Sequence, residues 1–297
     1  MAAGPDGVLL VDKPPGITST RALALARRAL GSRKAGHTGT LDPFATGLLP
    51  LVFGEATKFS RFLIDSDKTY LATLRLGAVS STGDTEGEVT PGGPVPTDIR
   101  EIEAISREMV GTSMQIPPMH SALRVQGQRL YHLARQGVEI EREARPIRVE
   151  FLEVLSFFGE TLVISVKCSK GTYVRTLAET MGERLGCGAY LIGLRRTETA
   201  GFRVEEAATP DALADMGVEA SRGRLLPVEV LVRTLPRSDL ADREAWAIRN
   251  GQELAAPAEW EPGERSLFGP AGEFIGVGLV SGGRLAAARL MATGIPG

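Results

Sequence analysis

A loop of fifteen residues, GHTGTLDPFATGLLP from Gly36 to Pro50, contains the carboxylate that is best suited to chemistry. Its glycines allow backbone angles that other residues avoid, and Pro43 fixes its own φ while pushing Asp42 toward an extended conformation. A single carboxylate on so rigid a backbone suits a nucleophile. Most Asp-Pro pairs only form turns, so the loop alone leaves that simpler interpretation open.

Other segments could complete a site around this loop: Lys13-Pro14, Tyr70 in a run rich in β-formers, Asp84 in a Gly-rich loop, KGTYVR at 170–175, and LRRT at 194–197. Taken singly, each has a structural explanation, since a strand tyrosine is commonly half-buried and a lone leucine commonly lies in a core. The two cysteines and three histidines match no disulfide framework and no zinc spacing, so no metal site is predicted.

Together, the Asp42 loop, Lys13-Pro14 and the KGTYVR segment resemble the TruB family, the tRNA pseudouridine-55 synthases. The matching blocks are spread over about residues 7–230, and no matched catalytic position departs from the family pattern. The resemblance implies an enzyme that isomerises uridine 55 in the T-loop of tRNA to pseudouridine. It also implies the pseudouridine synthase fold.

Such an isomerisation breaks the bond between ribose C1′ and uracil N1, turns the base, and joins C1′ to C5. Because there is no net oxidation or reduction, no cofactor is predicted. The reaction needs a carboxylate, a cation that keeps it ionised, and an aromatic wall for the detached base. By the resemblance these are Asp42, Arg175 and Tyr70, and we expect Arg175 to lower the pKa of Asp42. Attack at C1′, attack at C6 and assistance in losing the C2′ proton all stay open for the carboxylate.

A uridine that is stacked inside a folded RNA loop must be extruded before an enzyme pocket can reach it. The resemblance gives this task to His37, which lies on the same loop as Asp42 and matches the histidine that inserts beside the vacated position. A structural role is the commoner one for a lone histidine. Asp84 matches a second acid that bridges Arg175, with an ordinary loop carboxylate as the alternative.

The remaining matched residues support the site or contact the nucleotide. Lys13 and Pro14 match residues that buttress the tyrosine at position 70, and Tyr173 and Leu194 match positions that touch the target nucleotide.

Positive charge is concentrated in the middle of the chain, although a net charge of −2 argues against a uniformly basic nucleic-acid binder. Residues 120–196 contain 12 Lys and Arg against 8 Asp and Glu. The cluster comprises Arg124, Arg129, Arg135, Arg142, Arg145, Arg148, Lys167, Lys170 and Arg175. It suits RNA phosphates, but the interspersed glutamates make an ordinary solvated surface an equal alternative.

Periodicity, caps and turn residues predict the elements that position these groups. Two predicted helices have N-caps at Ser19 or Thr20 and near Thr97 or Asp98, and stop at Gly31 and Gly111. A short helix around Arg129 to Gln136 and a helix over 173–185 are also predicted. The predicted strands cover residues 8–11, 69–76, 149–157, 161–168, 265–268, 273–280 and 284–291. Because many strands are joined by short turns, we expect an α+β fold with a mixed, largely antiparallel sheet and helices packed on it.

A change of composition after Leu226-Pro227 predicts a second, smaller unit. We expect a catalytic domain over 1–232 with an RNA-binding insertion at 114–148, and a small β-barrel-like domain over 238–297. This last domain resembles the PUA-like RNA-binding module of the same family, with a generic β appendage as the alternative. No apolar run is long enough to cross a membrane and the N-terminus lacks the order of a signal peptide. We therefore expect a cytoplasmic protein. The resemblance implies that it binds the T-arm stem-loop of tRNA, and we expect a monomer.

Two other classes of protein are compatible with the sequence. A glycosidase also directs carboxylates at C1′, but it normally needs two acids, and Asp42 has no general-acid partner within a matching motif. A non-catalytic RNA-binding or RNA-folding protein could be built from the Arg-rich segment and the C-terminal strands. Turnover of unmodified tRNA without metal or cofactor distinguishes the enzyme from this second class.

Overall fold

The computed structural model describes residues 4–121, 123–125, 128–130, 133 and 136–292. The described helices α1 to α7 cover, in chain order, Ser19–Leu30, Arg61–Ile64, Ile99–Glu108, Val174–Arg184, Pro210–Met216, Val218–Arg222 and Asp242–Arg249. The described strands β1 to β18 cover Gly7–Lys13, Ala35–His37, Thr46–Phe53, Lys68–Leu76, Ala78–Ser80, Val89–Pro91, Gly111–Gln115, Arg124–Val125, Gln128–Arg129, Arg145–Phe158, Thr161–Cys168, Ala189–Thr199, Phe202–Arg203, Arg237–Asp239, Leu254–Ala255, Gly263–Phe268, Phe274–Ser281 and Arg284–Leu290. Short 3-10 helices cover Gly54–Phe59, Val204–Glu206 and Val228–Val232.

Nine of the described strands form one mixed sheet, in the order β1-β3-β12-β4-β11-β10-β7, with β2 beside β3 and β13 beside β12. Neighbours in this order run antiparallel except β3 and β12, which run parallel. The predicted α+β fold with a mixed, largely antiparallel sheet is therefore confirmed. Strand β12 lies between β3 and β4 and pairs with both, so its residues adjoin residues of both strands.

Apolar side chains fix the helices on this sheet. Ile102 of α3 and Met181 of α4 are buried among residues of β4, β10, β11 and β12. The helix α1 packs on β1 and β3 through Ala22, Ala26 and Leu30, which recur every four residues and are fully buried. This spacing places all three on one helical face, as burial against a sheet requires.

The C-terminal strands form a second sheet of five described strands, in the order β14-β16-β17-β18-β15, with α7 packed on it. The predicted small, PUA-like β unit is thus present. It shares a core with the first unit, because Val277 of β17 is buried among Phe59 and Val232. The rings of Phe59 and Phe274 also meet edge to face, with centroids 5.4 Å apart. Removing the second unit would therefore expose apolar surface on the first.

The beginning of α1 differs by one or two residues from the sequence-based expectation. Thr18 is the N-cap, since its hydroxyl accepts from the backbone N–H of Arg21 at 3.1 Å. The hydroxyl of Ser19 is used elsewhere, because it bonds the backbone of Leu41. Gly31 ends the helix as predicted, in the left-handed conformation with φ of 61°.

Two further helix predictions had mixed outcomes. Asp98 is the N-cap of α3 as predicted, but α3 ends at Glu108, because Gly111 already begins β7. The short helix predicted from Arg129 to Gln136 falls largely outside the described residues, and Arg129 itself lies in β9. No described helix is long and apolar enough to cross a membrane.

Candidate active site

The side chain of Arg175 joins the two carboxylates that the sequence singled out. Arg175 lies at the start of α4 and is 4% exposed. Its Nε is 3.2 Å from Oδ2 of Asp42, and its Nη1 is 3.2 Å from Oδ2 of Asp84. The expected acid, arginine and acid bridge is therefore present. A planar guanidinium directs its donors at fixed angles, so it fixes the two carboxylates relative to each other.

Backbone carbonyls and a hydroxyl complete this network. Arg175 also donates to the carbonyls of Thr82 at 3.0 Å and His120 at 2.6 Å. Asp84 is 2% exposed and accepts from the Thr82 hydroxyl at 2.6 Å and from the backbone N–H of Glu86 at 3.0 Å. Because each member has several partners, the guanidinium has little freedom to move.

Asp42 is the more accessible of the two acids, with 35% of its side chain exposed. Burial in the surrounding protein nevertheless raises the pKa of Asp42 above its ordinary value, while the charge of Arg175 acts in the opposite direction. The charge of Asp84 raises this pKa further and Lys13 lowers it. Arg175 therefore lowers the pKa of Asp42 as expected, but the loss of hydration outweighs this pairing and the net shift is upward.

The loop that carries Asp42 is tied to the end of β1 by a buried ammonium. Lys13 has no exposed surface and donates to three backbone carbonyls, among them Pro14 at 2.9 Å and Pro43 at 3.2 Å. Burial lowers the pKa of Lys13 to about 8, although the charge of Asp42 acts in the opposite direction. These hydrogen bonds direct the ammonium to the Asp42 loop, whereas the sequence led us to expect that Lys13 and Pro14 support Tyr70.

Pairing between β4 and β12 brings Tyr70 and Leu194 to the same face of the sheet. In the antiparallel register Tyr70 lies opposite Arg196, and Ala72 lies opposite Leu194. Opposed residues share a face, as do residues two apart on one strand. Tyr70 and Leu194 are both partly buried against the same apolar clusters. The sheet register therefore places these two predicted site residues near each other.

Arg196 belongs to the site, although sequence reasoning missed it. It is 1% exposed, and its Nε donates to the carbonyl of Leu48 at 2.6 Å while its Nη2 donates to that of Gly39 at 3.2 Å. The two carbonyls lie on either side of Asp42 in the sequence. Arg196 thus ties both arms of the Asp42 loop to β12. Its signal was hidden because β12 was not predicted as a strand.

The hydroxyl of Tyr70 lies beside the same guanidinium. Burial raises the pKa of Tyr70, while the charge of Arg196 and its hydrogen bond to the hydroxyl act in the opposite direction. The phenol therefore keeps its proton at neutral pH. On the other side of Arg196 lies Gly47 of β3, with φ of 101°. A Cβ on Gly47 would lie 2.3 Å from the Arg196 carbonyl oxygen, so only glycine allows these strands to approach.

Tyr173 precedes α4 and is held by an amide that the sequence did not single out. Gln115, at the end of β7, accepts from the Tyr173 backbone N–H at 2.8 Å and donates to its carbonyl at 3.1 Å. Burial raises the pKa of the Tyr173 hydroxyl. Since Tyr173 is two residues before Arg175, this clamp fixes the start of the helix that supplies the guanidinium.

His37 is the last residue of β2, where it pairs with Leu51 of β3 and is half-buried. The chain runs directly from His37 into the turn that carries Asp42. Within the described ranges, no group of three or more His, Cys, Asp or Glu side chains could hold a metal ion.

The predicted basic cluster is largely neutralised where the structure describes it. Three of its cations pair with acids: Arg148 with Asp67 at 2.8 Å, Lys167 with Glu150 at 2.9 Å and Lys170 with Asp65 at 2.8 Å. Arg142 is mostly buried beside Glu139, and Arg145 is exposed. Arg135 and the side chains of Arg124 and Arg129 lie outside the described residues. An ordinary solvated surface therefore accounts for the paired cations.

The chain matches known pseudouridine synthases along nearly its whole length. Residues 27–174 match the TruB family pseudouridylate synthase (N terminal domain), 175–233 the tRNA pseudouridylate synthase B C-terminal domain, and 236–291 the C-terminal part of pseudouridine synthase II TruB. The tRNA pseudouridine synthase B of Azoarcus sp. (strain BH72) is 49% identical over 288 residues, which cover 97% of this chain and 95% of that protein. That of Methylobacillus flagellatus is 46% identical over 287 residues, covering 96% and 95%.

Solved structures with the same fold include a Cbf5-Nop10-Gar1 complex, with a TM-score of 0.73 and 29% identity over 93% of this chain and 78% of that chain. An H/ACA RNP bound to a substrate RNA containing 2'-deoxyuridine gives 0.73 and 26%, covering 96% and 84%. The fold is thus that of a pseudouridine synthase. The chain belongs to the TruB family of pseudouridylate synthases. It is a TruB-type tRNA pseudouridine synthase, an isomerase that acts on tRNA.

Proposed function

We propose that this enzyme converts uridine 55 in the T-loop of tRNA to pseudouridine, as a cytoplasmic monomer without a cofactor, with Asp42 as its nucleophile or catalytic acid. One observation carries the proposal: a partly exposed carboxylate, held by a buried guanidinium, lies on a loop tied to the strand that faces Tyr70. This combination supplies the anion, its fixed partner and the aromatic wall that the isomerisation needs.

The contacts suggest how the work is divided. Arg175 and Lys13 favour the anion of Asp42 against the effect of burial. The exposed third of the Asp42 side chain leaves it accessible to a nucleoside. As C1′ leaves N1 and joins C5, the proton on C5 passes to solvent and N1 gains one. The protonated hydroxyl and ring of Tyr70 would face the detached uracil, with Leu194 beside it.

Base extrusion is the second part of the proposal. His37 is fixed at the end of β2 and leads into the turn of Asp42, so a group that fills the vacated place in the RNA stack would lie one short turn from the carboxylate. We assign catalysis to residues 1–232 and further contacts with the T-arm to the insertion at 114–148 and to 238–297. Tyr173, at the edge of that insertion, would contact the nucleotide.

The test uses an unmodified tRNA transcript that carries tritium at C5 of its uridines. Because C5 must lose its hydrogen when it bonds C1′, isomerisation releases tritium to water. We expect about one equivalent per tRNA without added metal or cofactor. A matched transcript with cytidine at position 55 should release none. Release from the control would remove the assignment to position 55, and binding without release from either transcript would favour a non-catalytic RNA-binding protein.

A further inference from the structure

The segment that leads from the end of β1 to the Asp42 loop carries no negative charge. Residues 13–41 contain six Lys and Arg and no Asp or Glu. Counting over 1–119 hides this, because that larger part has 12 basic and 13 acidic residues. Five of the six cations in residues 13–41 are exposed: Arg21, Arg27, Arg28, Arg33 and Lys34.

Three of these cations lie on the solvent side of α1 and are here called the arginine stripe: Arg21, Arg27 and Arg28. At 3.6 residues per turn, Arg21 and Arg28 lie within about 20° of each other around the helix axis, roughly opposite the buried face. Arg27 widens the stripe on one side.

The arginine stripe is unpaired among the residues that the structure describes, since no ion pair there includes any of its three members. The helices α5 and α6 pack against α1 and carry Asp211, Asp215 and Glu219, yet none of these acids pairs with the stripe. Arg148, by contrast, is bound to Asp67. The stripe therefore keeps its charge available for a partner.

Both ends of α1 connect to the Asp42 loop. The hydroxyl of Ser19 donates to the carbonyl of Leu41 at 3.0 Å and accepts from its N–H at 2.8 Å. After Gly31 the chain returns through β2 to His37. A helix of 12 residues is about 18 Å long, so the stripe begins near the carboxylate and extends away from it along α1.

We propose that the arginine stripe binds the phosphates of the RNA duplex that adjoins the modified loop. The inference rests on the proposed function for the identity of the RNA. Guanidiniums without acid partners bind phosphate with release of counterions, whereas cations already paired with carboxylates must first give up those partners. The stripe, rather than the neutralised cluster around Arg148, is then the main phosphate contact of the first unit.

The test compares salt dependence of binding to a tRNA T-arm stem-loop for the wild type and the variant R21Q/R27Q/R28Q. Glutamine has nearly the helix propensity of arginine, so α1 should persist. We expect the slope of log Kd against log salt to fall by about 2 to 3, and affinity at roughly 0.1 M salt to weaken at least about tenfold. The charge-conserving variant R21K/R27K/R28K should recover most of the slope.

A matched control is R100Q/R107Q/R184Q, which removes the same charge from exposed positions on and around α3 and α4. It should leave slope and affinity unchanged. An equal slope for R21Q/R27Q/R28Q and this control would overturn the proposal. So would an equal loss on a loop oligonucleotide that lacks the stem, because the duplex would then not be the ligand. Tritium release is measured separately, so a binding result cannot be confused with failure of the proposed activity.

Discussion

Two buried arginines flank the Asp42 loop, and they are compensated in opposite ways. Arg175 is 4% exposed and faces the carboxylates of Asp42 and Asp84. Arg196 is 1% exposed and faces the carbonyls of Leu48 and Gly39, and no ion pair among the described residues includes it. Both are fixed, but only one is neutralised by full charges.

The difference separates an electrostatic role from an architectural one. A buried cation without a carboxylate costs stability unless dipoles satisfy its donors. The carbonyls around Arg196 satisfy its donors, and the same hydrogen bonds fix the loop on both sides of Asp42. Arg175 acts on the charge of Asp42 itself, because it is the largest of the neighbouring charges that affect the pKa of Asp42. The hydrogen bonds from Arg196 to the loop go instead to backbone carbonyls. The two residues should therefore fail in different ways when they are changed.

The largest effect is expected for Asp42→Asn, which removes the only group that we assign to bond making. Turnover should be lost while tRNA affinity stays within a few-fold of the wild type, since phosphate contacts elsewhere supply most of the binding. Tritium release and filter binding on the same transcript measure the two quantities. Near-normal release by the variant would show that the chemistry does not require Asp42. The comparison between the two arginines would then no longer concern a catalytic carboxylate.

Arg175→Lys is expected to have the next largest effect. A lysine keeps a positive charge near Asp42 but lacks the fork that reaches both acids. Misplacement of a reacting group by about 1 Å can cost on the order of a hundredfold, so kcat should fall by about that factor with little change in KM. Single-turnover rates with excess enzyme measure this. A variant with an unchanged rate would show that charge alone suffices at this position.

Arg196→Gln should mainly destabilise the protein. Loss of the guanidinium leaves at least one buried carbonyl without a donor, which costs about 1–3 kcal/mol of unfolding free energy. Denaturant unfolding measures this loss. The acid limb of the pH profile of kcat should move less than in an Arg175 variant, because Arg175 is the largest neighbouring charge acting on the pKa of Asp42.

The matched variant Arg175→Gln removes a charge that lowers the pKa of Asp42, so its acid limb should move to higher pH. The same displacement in both glutamine variants would contradict the separation of roles.

These two arginines also show how far the sequence could lead. Arg175 lies in the KGTYVR segment, and the resemblance to the TruB family predicted both of its acids. Arg196 lies in the LRRT segment, but no role was predicted for it, because that role arises only when β12 lies between β3 and β4 with Gly47 on one side and Tyr70 on the other. Local periodicity of the sequence does not predict the order of strands that are far apart in the chain. The net upward shift in the pKa of Asp42 was not predicted for a similar reason, since burial depends on the whole fold.

The smallest effect is expected for Asp84→Asn. The direction of its pH shift follows from the effect of the Asp84 charge on the pKa of Asp42. The charge of Asp84 raises the pKa of Asp42, so its removal lowers that pKa. If the anion of Asp42 is the active form, activity falls as pH drops through this pKa, and the acid limb should therefore move to lower pH. The plateau should fall only a few-fold, because Arg175 keeps the carbonyls of Thr82 and His120 as partners.

A double-mutant cycle with Arg175→Lys then tests whether Asp84 acts through the guanidinium. Residues of one network show coupling of about 0.5–3 kcal/mol, so the combined loss should be smaller than the added single losses. Strict additivity, or an acid limb that moves to higher pH, would mean that Asp84 only shapes its own loop through Thr82 and Glu86. Arg175 would then be an arginine with one functional carboxylate, and it would differ less from Arg196 than the geometry indicates.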